Sequence, residues 1–197
     1  MDLKTGRAKS PEQIILDRRA WQNDQSYFRF ELVGGHNESS DNTWKCRSSG
    51  ETSANFSQTF GDGGAYTATP SLDQADGKNP AQFAEFITGD RGLVIEDVKI
   101  VMSKNGGAAD STLKIAVLTV PITYGSEVTT YASSVIASVG SLHCPNDTDV
   151  YQAHDLNSTF KNKELPKNSM VFVAIADETG GTGNQIFFHG HIVCKYI

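Results

Sequence analysis

The sequence predicts an all-β protein, an antiparallel β-sandwich, and three observations carry that expectation. Strand-like runs recur at close, regular spacing from about residue 93 to Ile197. Gly-, Asn- and Asp-rich turns separate them, and no helical pattern lies between them. A jelly roll is a common way to arrange five or six such strands in about 110 residues, and it is the form expected here. The domain reading is a body over residues 81–197, preceded by an arm over 1–80.

Taken in order, the arm opens on a helix signal. Ser10 precedes Pro11 at the first helical position, and Gln13 stands at capping-box spacing. Ile14, Ile15, Arg18 and Trp21 follow at helical intervals, which predicts a short helix over 11–22 with one apolar stripe. So short a helix is marginal alone in water, so its stripe needs a surface to dock on. Residues 27–33 (YFRFELV) alternate as one strand. Residues 34–80 are polar and turn-rich, with apolar residues only at sparse intervals, and read as extended structure leaning on other surfaces.

In the body, 93–103 places Val98, Ile100 and Met102 on one face and Lys99 and Ser103 on the other. NGGAAD at 105–110 is a turn, and 112–120 is a second strand stopped by Pro121. Residues 127–139 read as a third strand ended by Gly140, with a further strand near 150–154. Met170–Ala176 lies in the most apolar run of the chain, and GGTGN turns it into a final strand that reaches the terminus.

Composition excludes several functions. Seventeen Lys and Arg against 23 Asp and Glu give a net charge of −6, unsuited to a chain whose task is to coat nucleic acid. No run has the length of a membrane span or a secretory signal, so the expectation is a soluble protein, or one whose signal is already removed. Cys46, Cys144 and Cys194 are too scattered for a disulfide framework or a zinc site, and are expected as reduced, partly buried thiols.

No catalytic constellation emerges. His189 and His191 lie two apart on one strand and share a face, as a metal site would need, with His143, Cys144 and His154 as possible further ligands. Outward-facing polar side chains explain the pair better, so no metal and no cofactor are expected. His154-Asp155 lacks a marked nucleophile, and GDGG at 61–64 and GGTG at 180–183 lack phosphate-loop spacing. Asp147, Asp149 and Asp155, like Asp73 and Asp76, read as solvated loop charges rather than a calcium loop. Four Asn-x-Ser/Thr triplets, at Asn37, Asn55, Asn146 and Asn157, carry little weight in so Asn- and Ser-rich a chain. Trp44, Tyr66, Tyr124, Tyr131 and Tyr151 would serve a glycan-binding module if exposed, and core packing accounts for them equally.

The segment IEDVKIVMSKNGGAADSTLKIAVL crosses a Gly/Asp turn between two strands. LPKNSMVFVAIADETGGTGNQIFFHGHIVCKYI joins a Leu-Pro-x-Asn entry to an apolar strand, a glycine turn and a last strand. Together, over about residues 90–197, they resemble the jelly-roll modules of tailed-phage virion proteins: capsid decoration proteins, head fibres and tail accessory proteins. The resemblance implies a non-enzymatic, homo-oligomeric virion component, often trimeric, anchored to a capsid or tail protein through its N-terminal arm. Neither nucleic acid nor membrane is an expected partner. Ile14, Ile15, Trp21, Tyr27 and Phe28 are then the expected apolar anchors. The alternative is a carbohydrate- or receptor-binding sandwich module.

Overall fold

In a computed structural model of the 197-residue chain, the residues described are 27–37, 44–46, 55–56, 58–59, 80–105, 109–125, 127–128, 131–147, 149–178 and 185–197. The helix expected over 11–22 and the two glycine-rich segments lie outside them.

The strands in chain order are β1 (Tyr27–Asn37), β2 (Lys45–Cys46), β3 (Asn55–Phe56), β4 (Gln58–Thr59), β5 (Phe86–Ile87) and β6 (Leu93–Lys104). There follow β7 (Ser111–Pro121), β8 (Ser134–Cys144), β9 (Tyr151–Asp155), β10 (Glu164–Leu165), β11 (Ser169–Asp177) and β12 (Gln185–Tyr196). One helical turn, α1 (Asn157–Phe160), sits between β9 and β10. The strands form two sheets, so the chain is an all-β sandwich. The first sheet runs β10-β6-β12-β1-β3, with β9 also on β6; the second runs β4-β2-β11-β7-β8, with β5 also on β11.

The pairings are nested along the chain. β1 pairs with β12, β2 with β11, β6 with β9 and β7 with β8, all antiparallel. β6 then lies against β12, and β7 against β11, to complete the two sheets.

Alternation sends one face of each sheet inward. Ile186, Phe188, Ile192 and Cys194 of β12, with Leu93, Ile95, Val98, Ile100 and Met102 of β6, meet Leu113, Ile115 and Val117 of β7 and Val171, Val173 and Ile175 of β11. The expected inward set Val98, Ile100 and Met102 is buried, and Lys99 points outward. The second sheet is covered on its outer side as well. Ala116, Leu118, Val120, Phe172, Ala174 and Ala176 pack there under Trp44, Cys46 and Phe83. A strand buried on both faces has no polar positions to alternate, which explains the unbroken apolar run of β11.

Two boundaries differ from the sequence reading. Tyr27–Asn37 is no arm: it pairs with β12 through eleven successive residues, between β12 and β3. Trp44 and Cys46 are likewise core residues, so the sandwich takes in chain assigned to the 1–80 arm. The third body strand is Ser134–Cys144, and Gly140 lies inside it instead of ending it. There Leu113 pairs with Leu142 but Ile115 with Val139, which leaves one extra residue on β8. That bulge takes Ser141 to a φ of 57°, and the Ser141 amide donates to Glu178 Oε2 at 2.5 Å. A turn residue can therefore stand within a paired strand.

Candidate functional site

The expected site residues fall in different places. Ile14, Ile15 and Trp21 are outside the described residues. Tyr27 is 49% exposed at the start of β1. Phe28 points the other way, into the sandwich, with its ring centroid 4.9 Å from that of Phe86 on β5. Of these two, then, only Tyr27 offers its ring to a partner.

His189 and His191 do share a face, the outer face of the first sheet, and the register builds that face in rows. One row is Tyr151, Ser103, Phe187 and Gly35, across β9, β6, β12 and β1. The next is Ala153, Val101, His189 and Val33, and then come Asp155, Lys99, His191 and Glu31. Val193 and Asp97 follow, with Arg29 opposite Val193.

The charged end is set by a bulge in β6. Cys194 pairs with Ile95 but Val193 with Asp97, so Glu96 is an extra residue and the inward parity switches from odd to even. The switch turns Asp97 outward beside His191. There its carboxylate collects three donors: Asn157 Nδ2 at 2.7 Å, His191 Nε2 at 2.7 Å and Lys99 Nζ at 3.1 Å. The Asn157 amide beside it, then His191 and Lys99, hold the Asp97 carboxyl well below the usual carboxylate range.

Asn157 is held in turn. Its Oδ1 accepts the Val98 amide at 2.8 Å and its own amide donates to Asp155 Oδ1 at 3.0 Å. The Leu156 amide donates to Val98 O at 2.9 Å, and the Asn162 amide to Ile95 O at 2.8 Å. The α1 segment is thus strapped along the edge of β6 between β9 and β10, with Phe160 plugged into the core. Asn157, one of the four glycosylation triplets, has its side chain committed to this clip.

Gly190, between the two histidines, faces inward. A Cβ there would lie 2.4 Å from Lys99 O and 3.0 Å from Ile100 Cα, so β6 and β12 approach this closely only because the residue is glycine.

Chemically, the arrangement fastens strands. Asp97 is saturated by donors that also fix its orientation, and His189, with 73% of its side chain exposed, lies 3.9 Å from Glu31. Among the described residues no three His, Cys, Asp or Glu side chains converge to hold a metal ion. His154 pairs with the inward Ile100, away from the histidine face, and its Nε2 lies 2.8 Å from His143 O. Cys144 is buried in the core. The loop carboxylates accept backbone amides: Asp147 Oδ1 takes the Asp149 amide at 2.9 Å within its own turn, and Asp110 Oδ1 takes the Asn146 amide of another loop at 3.0 Å.

Among the described residues the aromatic candidates do not gather either, and Tyr66 lies outside those residues. Trp44 is buried and Tyr131 packs against the second sheet's outer cluster. Tyr151 and Tyr124 are exposed, but Tyr151 pairs with the C-terminal end of β6 and Tyr124 follows the far end of β7. What sequence reasoning missed is the apolar end of the outer face. Tyr151, Val101, Phe187 and Val33 are 68%, 40%, 44% and 38% exposed, staggered over two adjoining rows on four strands with Ser103 and His189 between them. Apolar residues at outward positions of both FFHGH and KIVMS were the available signal.

No protein-family model matches the sequence, and no curated protein matches it significantly.

Proposed function

We propose that this chain is a non-enzymatic structural protein of a virus particle, a jelly-roll body that decorates or stabilises the particle and is tethered to a capsid or tail protein through residues preceding Tyr27. The observation that carries this reading is the nested pairing of β1 with β12, β2 with β11, β6 with β9 and β7 with β8. A long antiparallel ribbon rolled up so that successive strand pairs fall alternately in two facing sheets is the jelly-roll wind, an architecture common in viral shells. The step from fold to role is an analogy, supported by the sequence resemblance over about residues 90–197. The body is read as homo-oligomeric on the same ground.

The tether is narrower than the sequence alone suggested. With β1 inside the sandwich, the tether is assigned to residues 1–26, ahead of the first described strand. A chain lacking residues 1–25 is expected to keep its circular dichroism and cooperative melting while losing incorporation into purified particles. Normal incorporation of that folded truncation would remove the tethering role. Absence of the full-length protein from purified virions would remove the particle role itself.

A further inference from the structure

We infer that the open edge of β8 is where two copies of this chain pair, strand against strand, so that the second sheet continues across a two-fold axis. The pairing gives the homo-oligomeric reading an interface, and it stands on the edge itself, not on any role in a particle.

A strand at the end of a sheet presents unpaired backbone groups, and proteins guard such edges with short strands, charged side chains or proline. Among the described residues four strands end the two sheets. β3, β4 and β10 have two residues each, whereas β8 has eleven. β1, which β3 joins at Gly35 and His36, carries Arg29 and Glu31 along its remaining length. β8 has none of these safeguards. It alone among the strands of nine residues or more contains no Lys, Arg, Asp or Glu, and it has no proline. β7 takes up one side of β8, and among the described residues no strand lies on the other. Only its C-terminal end is closed: His154 Nε2 lies 2.8 Å from His143 O, and Glu178 takes the Ser141 amide. Over 134–140, Val135, Ile136, Ala137 and Val139 are half-buried, and Ser134 and Ser138 are exposed.

Bulges guard edges too, and here they set the register. Leu118 pairs with Val135 but Val117 with Ala137, so Ile136 is an extra residue, as another is at Ser141. The regular stretch between them is 137–140. Directly opposed residues of an antiparallel pair share a face, so a two-fold axis passes through a residue position. At Val139 the axis would set the bulged Ser141 against Ala137. At Ser138 it sets Ser138 against its own copy and Ala137 against Val139, both on the sandwich side. Charge selects the partner. A strand laid here must bury no charge against Val135, Ile136 and Val139. Among the described strands of this chain that are long enough, only β8 of a second copy meets that condition. Such an isologous contact closes on itself and covers both open edges at once.

Sedimentation equilibrium of the full-length protein tests this, and a dimer is expected. Ser138→Lys, at an exposed position, sets like charges against each other and is expected to raise the dissociation constant at least about tenfold. Its circular dichroism and urea midpoint are expected to match the wild type. A monomeric wild type would overturn the pairing together with the homo-oligomeric reading. A trimer, or an oligomer that Ser138→Lys leaves intact, overturns the pairing alone. In a second measurement, oxidation of Ser138→Cys is expected to give a disulfide-linked dimer, because the two Cα atoms come about 5 Å apart. Ser134→Cys, on the same strand but roughly 26 Å from its copy, is expected to stay unlinked. Cys46, Cys144 and Cys194 are buried and stay out of this reaction. Equal cross-linking of the two variants, or none in either, counts against the pairing.

Discussion

Asp97 shows how much one outward carboxylate can organise. It ties β12 through His191, its own strand through Lys99 and the α1 turn through Asn157, and none of these donors adjoins another in sequence. Because its folded pKa is depressed, its stabilisation is complete above the unfolded carboxylate pKa of about 4 and is lost as pH falls through the folded value. Asp97→Asn removes the charge and is expected to cost about 1–3 kcal/mol at neutral pH. The gap in urea midpoint between variant and wild type should hold above about pH 5 and narrow below about pH 4. An equal gap at about pH 6 and at about pH 2.5 would show that the charge contributes nothing. Sequence reasoning marked the His189/His191 pair and its shared face correctly, because a period of two needs no tertiary knowledge. It overlooked Asp97, whose outward position depends on the bulge at Glu96 and whose main partner lies 60 residues away.

At the scale of elements, β1 is the instructive strand. Its inward side carries Phe28, Phe30 and Leu32, and both phenylalanines pack on Phe86, with ring centroids 4.9 Å and 5.4 Å away. Phe86 belongs to a strand of the second sheet, so this trio spans the sandwich. Phe28→Ala is expected to destabilise the protein by about 2 kcal/mol, below the 3–5 of a fully buried ring, because Phe28 is only half-buried. The measurement is a lower denaturant midpoint at unchanged slope. A midpoint equal to wild type would return Phe28 to the role of a free anchor. The alternation of YFRFELV was legible as a strand; that β12 is its neighbour was not, since the partners run from Asn37 with Gln185 to Tyr27 with Lys195, at opposite ends of the chain.

Over the whole molecule, the cysteines report on the integrity of the sandwich. Cys194 is fully buried at the inner face of β12, and burial, aided by the negative charge of Glu96, pushes its thiol up to about 12. A thiol so protonated and enclosed is a poor nucleophile. Iodoacetamide at about pH 8 is therefore expected to leave Cys194 unmodified in the native protein and to alkylate it fully once denaturant opens the sheets, as read by peptide mass spectrometry. Rapid modification of the native protein would mean that β12 leaves the sandwich readily.

The sequence by itself determined the all-β class, the strand runs of β6, β7, β11 and β12, the inward set Val98, Ile100 and Met102, and the shared face of the two histidines. Each follows from local alternation and turn chemistry, which a strand carries within itself. The tertiary structure decided which strands are neighbours, that β1, Trp44 and Cys46 belong to the sandwich, and that Gly140 lies inside a strand. It also decided that bulges at Glu96 and Ser141 reset parity and register. These are long-range matters: a residue's burial depends on the strand laid beside it, and a bulge is visible only against its partner. The apolar end of the outer face belongs with them, because Tyr151, Val101, Phe187 and Val33 come onto two adjoining rows only when β9, β6, β12 and β1 lie in that order.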